Sequence, residues 1–290
     1  MNRYFETLLM LTLALGVFSP PSFADEPQLA AENVRFPSAG IVLAGTLVLP
    51  PQIVAAVVLV QGSGPTKRML GFANALAKQG IATLTYDKRG VGESGGLYVG
   101  IHNAEPSNLQ LLAQDAACAV QELTRRLPSR QGPVGIIGFS QAGWIVPLAA
   151  KASPGIRFMV LWSGPLATTY QQLRFQHLTQ EQTDFWDHHT ESEVRADLRA
   201  AGDDHIPFGD TDPLDALKDL SIPGLWLFGG RDIYVPVNLS IERLSALMAQ
   251  RKPFEFKLFP ASGHDLDERD AFPAAIEWIK STAARLNPGP

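Results

Sequence analysis

Val134-Gly135-Ile136-Ile137-Gly138-Phe139-Ser140-Gln141-Ala142-Gly143 is the stretch on which the reading of this chain turns. An apolar run at residues 134–139 leads directly into a polar pair and then into a helix-period segment at residues 142–151. That is the strand–turn–helix context in which a serine side chain is lifted clear of a sheet edge. So tight a turn presses together the positions two before and two after the serine, and Gly138 and Ala142 are both small enough for it. The plainer alternative is a helix N-terminus capped by Ser140.

A serine hydroxyl ionises far above neutral pH, so as a nucleophile it needs a base, and the base needs an orienting acid. Candidates for both follow in the chain. Asp232 closes Phe228-Gly229-Gly230-Arg231-Asp232 after the apolar run 224–228, and His264 lies in Ser262-Gly263-His264-Asp265 after the run 254–259. All three residues thus end predicted strands, in the chain order serine, acid, histidine, where α/β sheets collect reacting groups. Asp265 is the rival acid, but chain adjacency turns its side chain away from that of His264.

Outward from these turns, further apolar runs occur at residues 54–60, 81–86 and 158–162. Helix-period segments occupy 67–78, 109–127, 142–151, 239–250 and 270–285. Strands apolar on both faces, alternating with helices, predict a mostly parallel sheet covered on both sides. Residues 33–36 and 41–49, joined at Ser38-Ala39-Gly40, read as an antiparallel N-terminal hairpin. Residues 165–221 break the alternation with a polar, aromatic-bearing stretch too long for an ordinary loop. They read as a helical cap inserted between two parts of one core, residues 25–164 and 222–290.

In order, Gln61-Gly62-Ser63-Gly64-Pro65, Tyr86-Asp87-Lys88-Arg89-Gly90-Val91-Gly92-Glu93-Ser94, the Ser140 turn, the Asp232 turn and Gly263-His264 resemble the α/β-hydrolase superfamily. Within it the chain looks like the exported, capped, esterase-like serine hydrolases, from about residue 34 onward. Ala142 departs from G-x-S-x-G, the second glycine coming one residue later at Gly143, and Gln61 stands where family members often carry histidine. The resemblance implies the α/β-hydrolase fold and an oxyanion hole built from the backbone N–H groups of Ser63 and Gln141. It also implies carboxylic ester cleavage through an acyl-enzyme, with amidase, aminopeptidase or thioesterase activity as alternatives on the same triad. A catalytically silent binding module is the remaining alternative. A serine nucleophile argues against the dehalogenase and epoxide-hydrolase branches, which use a carboxylate.

Other readings fall away on chemistry. A net charge of −5 without a basic stripe makes a poor nucleic-acid binder. Gly62-x-Gly64 lacks a third glycine and Gly90-x-Gly92 sits in the wrong context for a dinucleotide fold, so no cofactor is expected. His188 and His189, adjacent on a predicted helix, point different ways and suit a solvated face better than a metal. Cys118 is the only cysteine, which rules out an intramolecular disulfide, and its amphipathic surroundings suit a buried small side chain. Asp87 and Arg89 are expected to be structural. Residues 1–24, with Arg3, a short apolar run and Ser22-Phe23-Ala24, read as a signal peptide cleaved after Ala24. That predicts a periplasmic or secreted protein without a stable membrane anchor, while the resemblance implies a small-molecule ester as substrate.

Overall fold

The computed structural model describes residues 28–100, 104–128, 132–199 and 206–287, so the expected signal peptide lies outside the described residues. Its eight-stranded sheet has the order β1-β2-β4-β3-β5-β6-β7-β8. The strands are β1 (Ala30–Ser38), β2 (Ile41–Leu49), β3 (Ala55–Val60), β4 (Ile81–Tyr86), β5 (Val134–Phe139), β6 (Phe158–Trp162), β7 (Gly224–Gly229) and β8 (Phe254–Phe259). β1 and β2 pair antiparallel, as do β2 and β4, and every other pairing is parallel. The β1–β2 turn is a two-residue one, with Ala39 and Gly40 both at positive φ, +45° and +77°. This backbone twist matches that of the strands it joins.

Side-chain alternation explains why the central strands read as unbroken apolar runs. Ala56, Val58 and Val60 of β3 enter one hydrophobic layer, while Ala55, Val57 and Leu59 enter the other. The first layer is closed by α2 (Pro106–Arg126), α3 (Ala142–Ala152) and α8 (Val237–Ala249), the second by α1 (Leu70–Lys78) and α9 (Glu268–Leu286). Each fully buried Leu, Ile or Val contributes roughly 1.5–3 kcal/mol of transfer free energy. Cys118 packs, partly buried, against the first layer.

Two expectations need correction. β8 is an edge strand, not a buried one, and Glu255, Lys257 and Leu258 are not in the core. Charged side chains on an edge also discourage sheet-to-sheet association. Helix α1 begins at Leu70 rather than Lys67, because the backbone N–H groups of Arg68 and Met69 donate to Asp87 Oδ1 and Thr85 Oγ1, both at 2.8 Å. Those donors serve the end of β4 instead of a first helical turn.

Between β6 and β7 lie α4 (Thr169–Thr179), α5 (Phe185–His188), α6 (Glu191–Arg199) and α7 (Leu214–Leu217). Thr168 caps α4 reciprocally with Gln171, which satisfies two N–H groups at the helix start. Phe175, Phe185, Val194 and Leu198 form a small core of their own with Ile233. The cap aromatics Phe175 and Phe185 therefore hold the cap together, and Trp186 packs partly buried against them. His189 stacks on Phe185 at 4.3 Å and His188 lies 3.4 Å from Asp184.

Candidate active site

Ser140 follows β5 with φ at +50°, a left-handed conformation that costs a non-glycine residue on the order of 1–3 kcal/mol. The surroundings hold it there. Its N–H donates to Trp162 O at 2.9 Å, and its own carbonyl accepts from Gly143 N at 2.8 Å. A Cβ on Gly138 would stand 2.7 Å from the Ala142 Cβ, so the two positions expected to meet do meet, and the methyl of Ala142 fits only because Gly138 has none. Gly143 is needed for another reason: a Cβ there would lie 2.5 Å from Pro165 Cδ, inside the segment that leaves β6.

His264 bridges the other two candidates. Its Nε2 lies 2.9 Å from Ser140 Oγ and its Nδ1 lies 2.8 Å from Asp232 Oδ2. A carboxylate can only accept, so Nδ1 carries the proton and Nε2 is left to accept from the serine hydroxyl. Asp232 is buried, and its second oxygen accepts from Tyr234 N at 2.7 Å and Val235 N at 2.9 Å. Both lone-pair directions are thereby fixed. Asp265, the rival acid, is exposed. The strands that carry the three residues are not neighbours throughout, because β6 separates the serine strand from the aspartate strand. The end of β6 nevertheless joins the site, since Ser163 donates its hydroxyl to His264 O at 2.7 Å.

Residues 51–191 match the serine aminopeptidase S33 family. Among solved structures, an esterase from Pyrococcus furiosus is similar at a TM-score of 0.63 and 16% identity, over 97% of this chain and 99% of that one. An acylaminoacyl peptidase from Pyrococcus horikoshii is similar at 0.63 and 17% identity, over 87% of this chain and 41% of that one. An α/β-hydrolase from a Penicillium species is similar at 0.60 and 17% identity, over 88% and 98% of the two chains. The fold is the α/β-hydrolase fold. No curated protein matches its sequence.

Beside Ser140 the protein opens a pocket of about 240 Å³, walled by Met69, Phe72, Phe139, Trp162 and Leu266, with Asp265 and Glu268 also lining it. Phe72 stands edge-on to both Phe139 and Trp162, at 5.1 and 5.5 Å, which stiffens that wall. The cap aromatics Phe175, Phe185 and Trp186 do not line this pocket. They were predictable as aromatic but not as to which core they enter.

The predicted oxyanion loop lies against the nucleophile candidate: a Cβ on Gly62 would come 3.3 Å from Ser140 Cβ. The side chain of Gln61 is buried and hydrogen-bonds Tyr86 O, a structural anchor. Asp87 and Arg89 are structural as expected. Arg68 pairs with Asp87 at 2.7 Å, and Arg89 makes a two-pronged pair with Asp115 at 2.6 and 2.9 Å inside the core. Lys88 between them points into the site, a contribution that the sequence reading did not single out. Trp186 donates its indole N–H to Asp232 O at 2.8 Å, so the cap is fastened to the acid turn. Among the described residues no cluster of His, Cys, Asp and Glu could hold a metal ion.

Burial disfavours a charged His264, but the hydrogen bond and charge of Asp232, with the charge of Asp265, outweigh it and raise the imidazole pKa above its ordinary value. Only the neutral ring can take a proton from Ser140. As pH falls, kcat/KM is therefore expected to drop through a midpoint above the usual imidazole value of about 6.5. A pH–rate profile checks this, and an acid limb well below about 6.5 contradicts it.

Proposed function

We propose that this protein cleaves neutral carboxylic esters through an acyl-enzyme formed on Ser140. The observation that carries the reading is the unbroken relay from Ser140 Oγ through His264 to the buried Asp232. His264 Nε2 takes the hydroxyl proton as Oγ attacks the carbonyl carbon, and Asp232 stabilises the resulting imidazolium. The N–H groups of Ser63 and Gln141 hold the negative charge that develops on the carbonyl oxygen, each worth about 3 kcal/mol in a dry site. The imidazolium then protonates the departing alcohol, and water, deprotonated by the same ring, releases the acid. The apolar wall formed by Phe72, Phe139, Trp162 and Leu266 suits an uncharged short or medium chain.

A second reading has its own support. Asp265 and Glu268 line the same pocket, where a carboxylate pair would favour a substrate bearing an ammonium group, such as an aminoacyl ester or amide. The cap points in a compatible direction: residues 166–221 hold four basic residues against twelve acidic ones, a net charge of −8 in a chain of −5. Its field disfavours polyanionic substrates and is screened over about 8–10 Å at physiological salt.

One acyl group presented as neutral ester, neutral thioester, coenzyme A thioester and aminoacyl amide separates these readings. The neutral ester is expected to exceed the coenzyme A form by at least about tenfold in kcat/KM, with the gap narrowing as salt rises. A preference for the coenzyme A form contradicts the proposal. A preference for the aminoacyl amide selects the second reading.

A further inference from the structure

Lys88 is an ammonium group in an unusual place. It follows β4, is 2% exposed, and its Nζ lies 2.5 Å from Gly62 O, 3.0 Å from Gln141 Oε1 and 3.5 Å from Gly64 O. Three donors thus face three neutral acceptors, two on the loop after β3 and one on the residue after Ser140. Neither carboxylate of the adjoining ion pairs partners it: Asp87, its neighbour in sequence, is engaged with Arg68, and Asp115 with Arg89. Burying a charge is costly unless it is well hydrogen-bonded, and a buried lysine that serves packing alone is readily replaced by an apolar side chain.

The covalent structure gives these contacts a direction. Gly62 C=O and Ser63 N–H belong to one peptide group, so a cation that draws electron density toward the carbonyl oxygen makes the N–H on the other side a stronger donor. Tyr98 reinforces the same loop: its hydroxyl donates to Ser63 O at 2.8 Å, and its ring lies 5.9 Å from the Lys88 ammonium. The other acceptor, the Gln141 side chain, belongs to the residue whose main chain follows the nucleophile candidate. One ammonium therefore spans both backbone segments that would hold an oxyanion.

We propose that Lys88 is a positioning residue of the hydrolytic centre: it ties the 62–64 loop to Gln141 and polarises the Gly62–Ser63 peptide toward negative charge developing beside Ser140. This rests on the serine-hydrolase reading above. Its field acts only when charge appears on the carbonyl oxygen, so it raises kcat and leaves ground-state binding nearly untouched.

Lys88→Met keeps the length of the side chain and removes charge and donors. With a neutral ester, kcat is expected to fall about 10²-fold with KM within about threefold, and affinity for a trifluoromethyl ketone, an oxyanion mimic, should fall in parallel. Lys88→Arg, which keeps the charge, should recover part of the loss. A folded K88M that keeps its kcat, or loses efficiency through KM alone, overturns the proposal. If K88M does not fold, the unmodified enzyme decides. Burial lowers the Lys88 pKa to about 8. Tyr98, the titratable group facing it, is shifted upward by burial and titrates later, while His264 deprotonates on the rising limb. A fall in kcat near pH 8 in folded protein is expected, and a flat kcat from about pH 7 to pH 10 overturns the proposal. Loss of activity in S140A alongside full kcat in K88M defeats this inference alone, whereas activity that survives S140A defeats the reading beneath it.

Discussion

Ser140→Ala is expected to lower turnover of a neutral ester by about 10⁴–10⁶-fold, equivalent to roughly 5–8 kcal/mol of transition-state stabilisation. The protein should stay folded. The Oγ makes one hydrogen bond of note, to His264 Nε2, and the positive φ of residue 140 is held by main-chain bonds to Trp162 and Gly143 that alanine keeps. Turnover and thermal unfolding measured on the same preparation check both halves. A folded S140A variant with more than about a tenth of the original activity contradicts the assignment.

Asp232→Asn is expected to cost about 10⁴-fold in kcat, with little loss of stability. The amide oxygen of Asn can keep the bonds from Tyr234 N and Val235 N that Asp232 Oδ1 now accepts. Its NH₂ group then faces His264 Nδ1, where a carboxylate oxygen now sits at 2.8 Å. Nδ1 must turn acceptor, the ring proton moves to Nε2, and the nitrogen facing Ser140 can no longer take a proton. Asp265→Asn provides the contrast. Asp265 is exposed and acts on His264 only by raising its pKa, so its loss should shift the acid limb downward and change the maximal rate by less than about fivefold. Steady-state kinetics of both variants across pH test the pair, and greater damage from D265N would mean that the acid is misassigned.

Much of this architecture was legible because its signals are local. Buried parallel strands show as unbroken apolar runs, and Gly138, Ser140 and Ala142 carry the steric demands of their turn in three residue types. The role of Gly143 was not legible, because what it makes room for is Pro165, a contact made across the sheet. Ser163 escaped notice for the same reason: it reaches His264 O over 101 residues of chain. Strand β8 misled because Phe254, Phe256 and Phe259 dominate its apolar count, while Glu255 and Lys257 between them mark the alternation of a half-exposed edge. Lys88 sits between Asp87 and Arg89, which read as structural, and nothing local says that those two turn aside while the lysine between them turns inward. The cap aromatics show the same limit in reverse, since a count of rings does not say whether they face a ligand or one another.

The central claim is that Ser140 is an activated nucleophile, and stoichiometric labelling with a fluorophosphonate tests it most directly. The expected result is one adduct per chain by intact mass, mapped to the Ser140 peptide, formed more slowly as pH falls through the raised His264 pKa and absent in S140A. An unlabelled folded protein that still hydrolyses esters, or an adduct that persists in S140A, would contradict it.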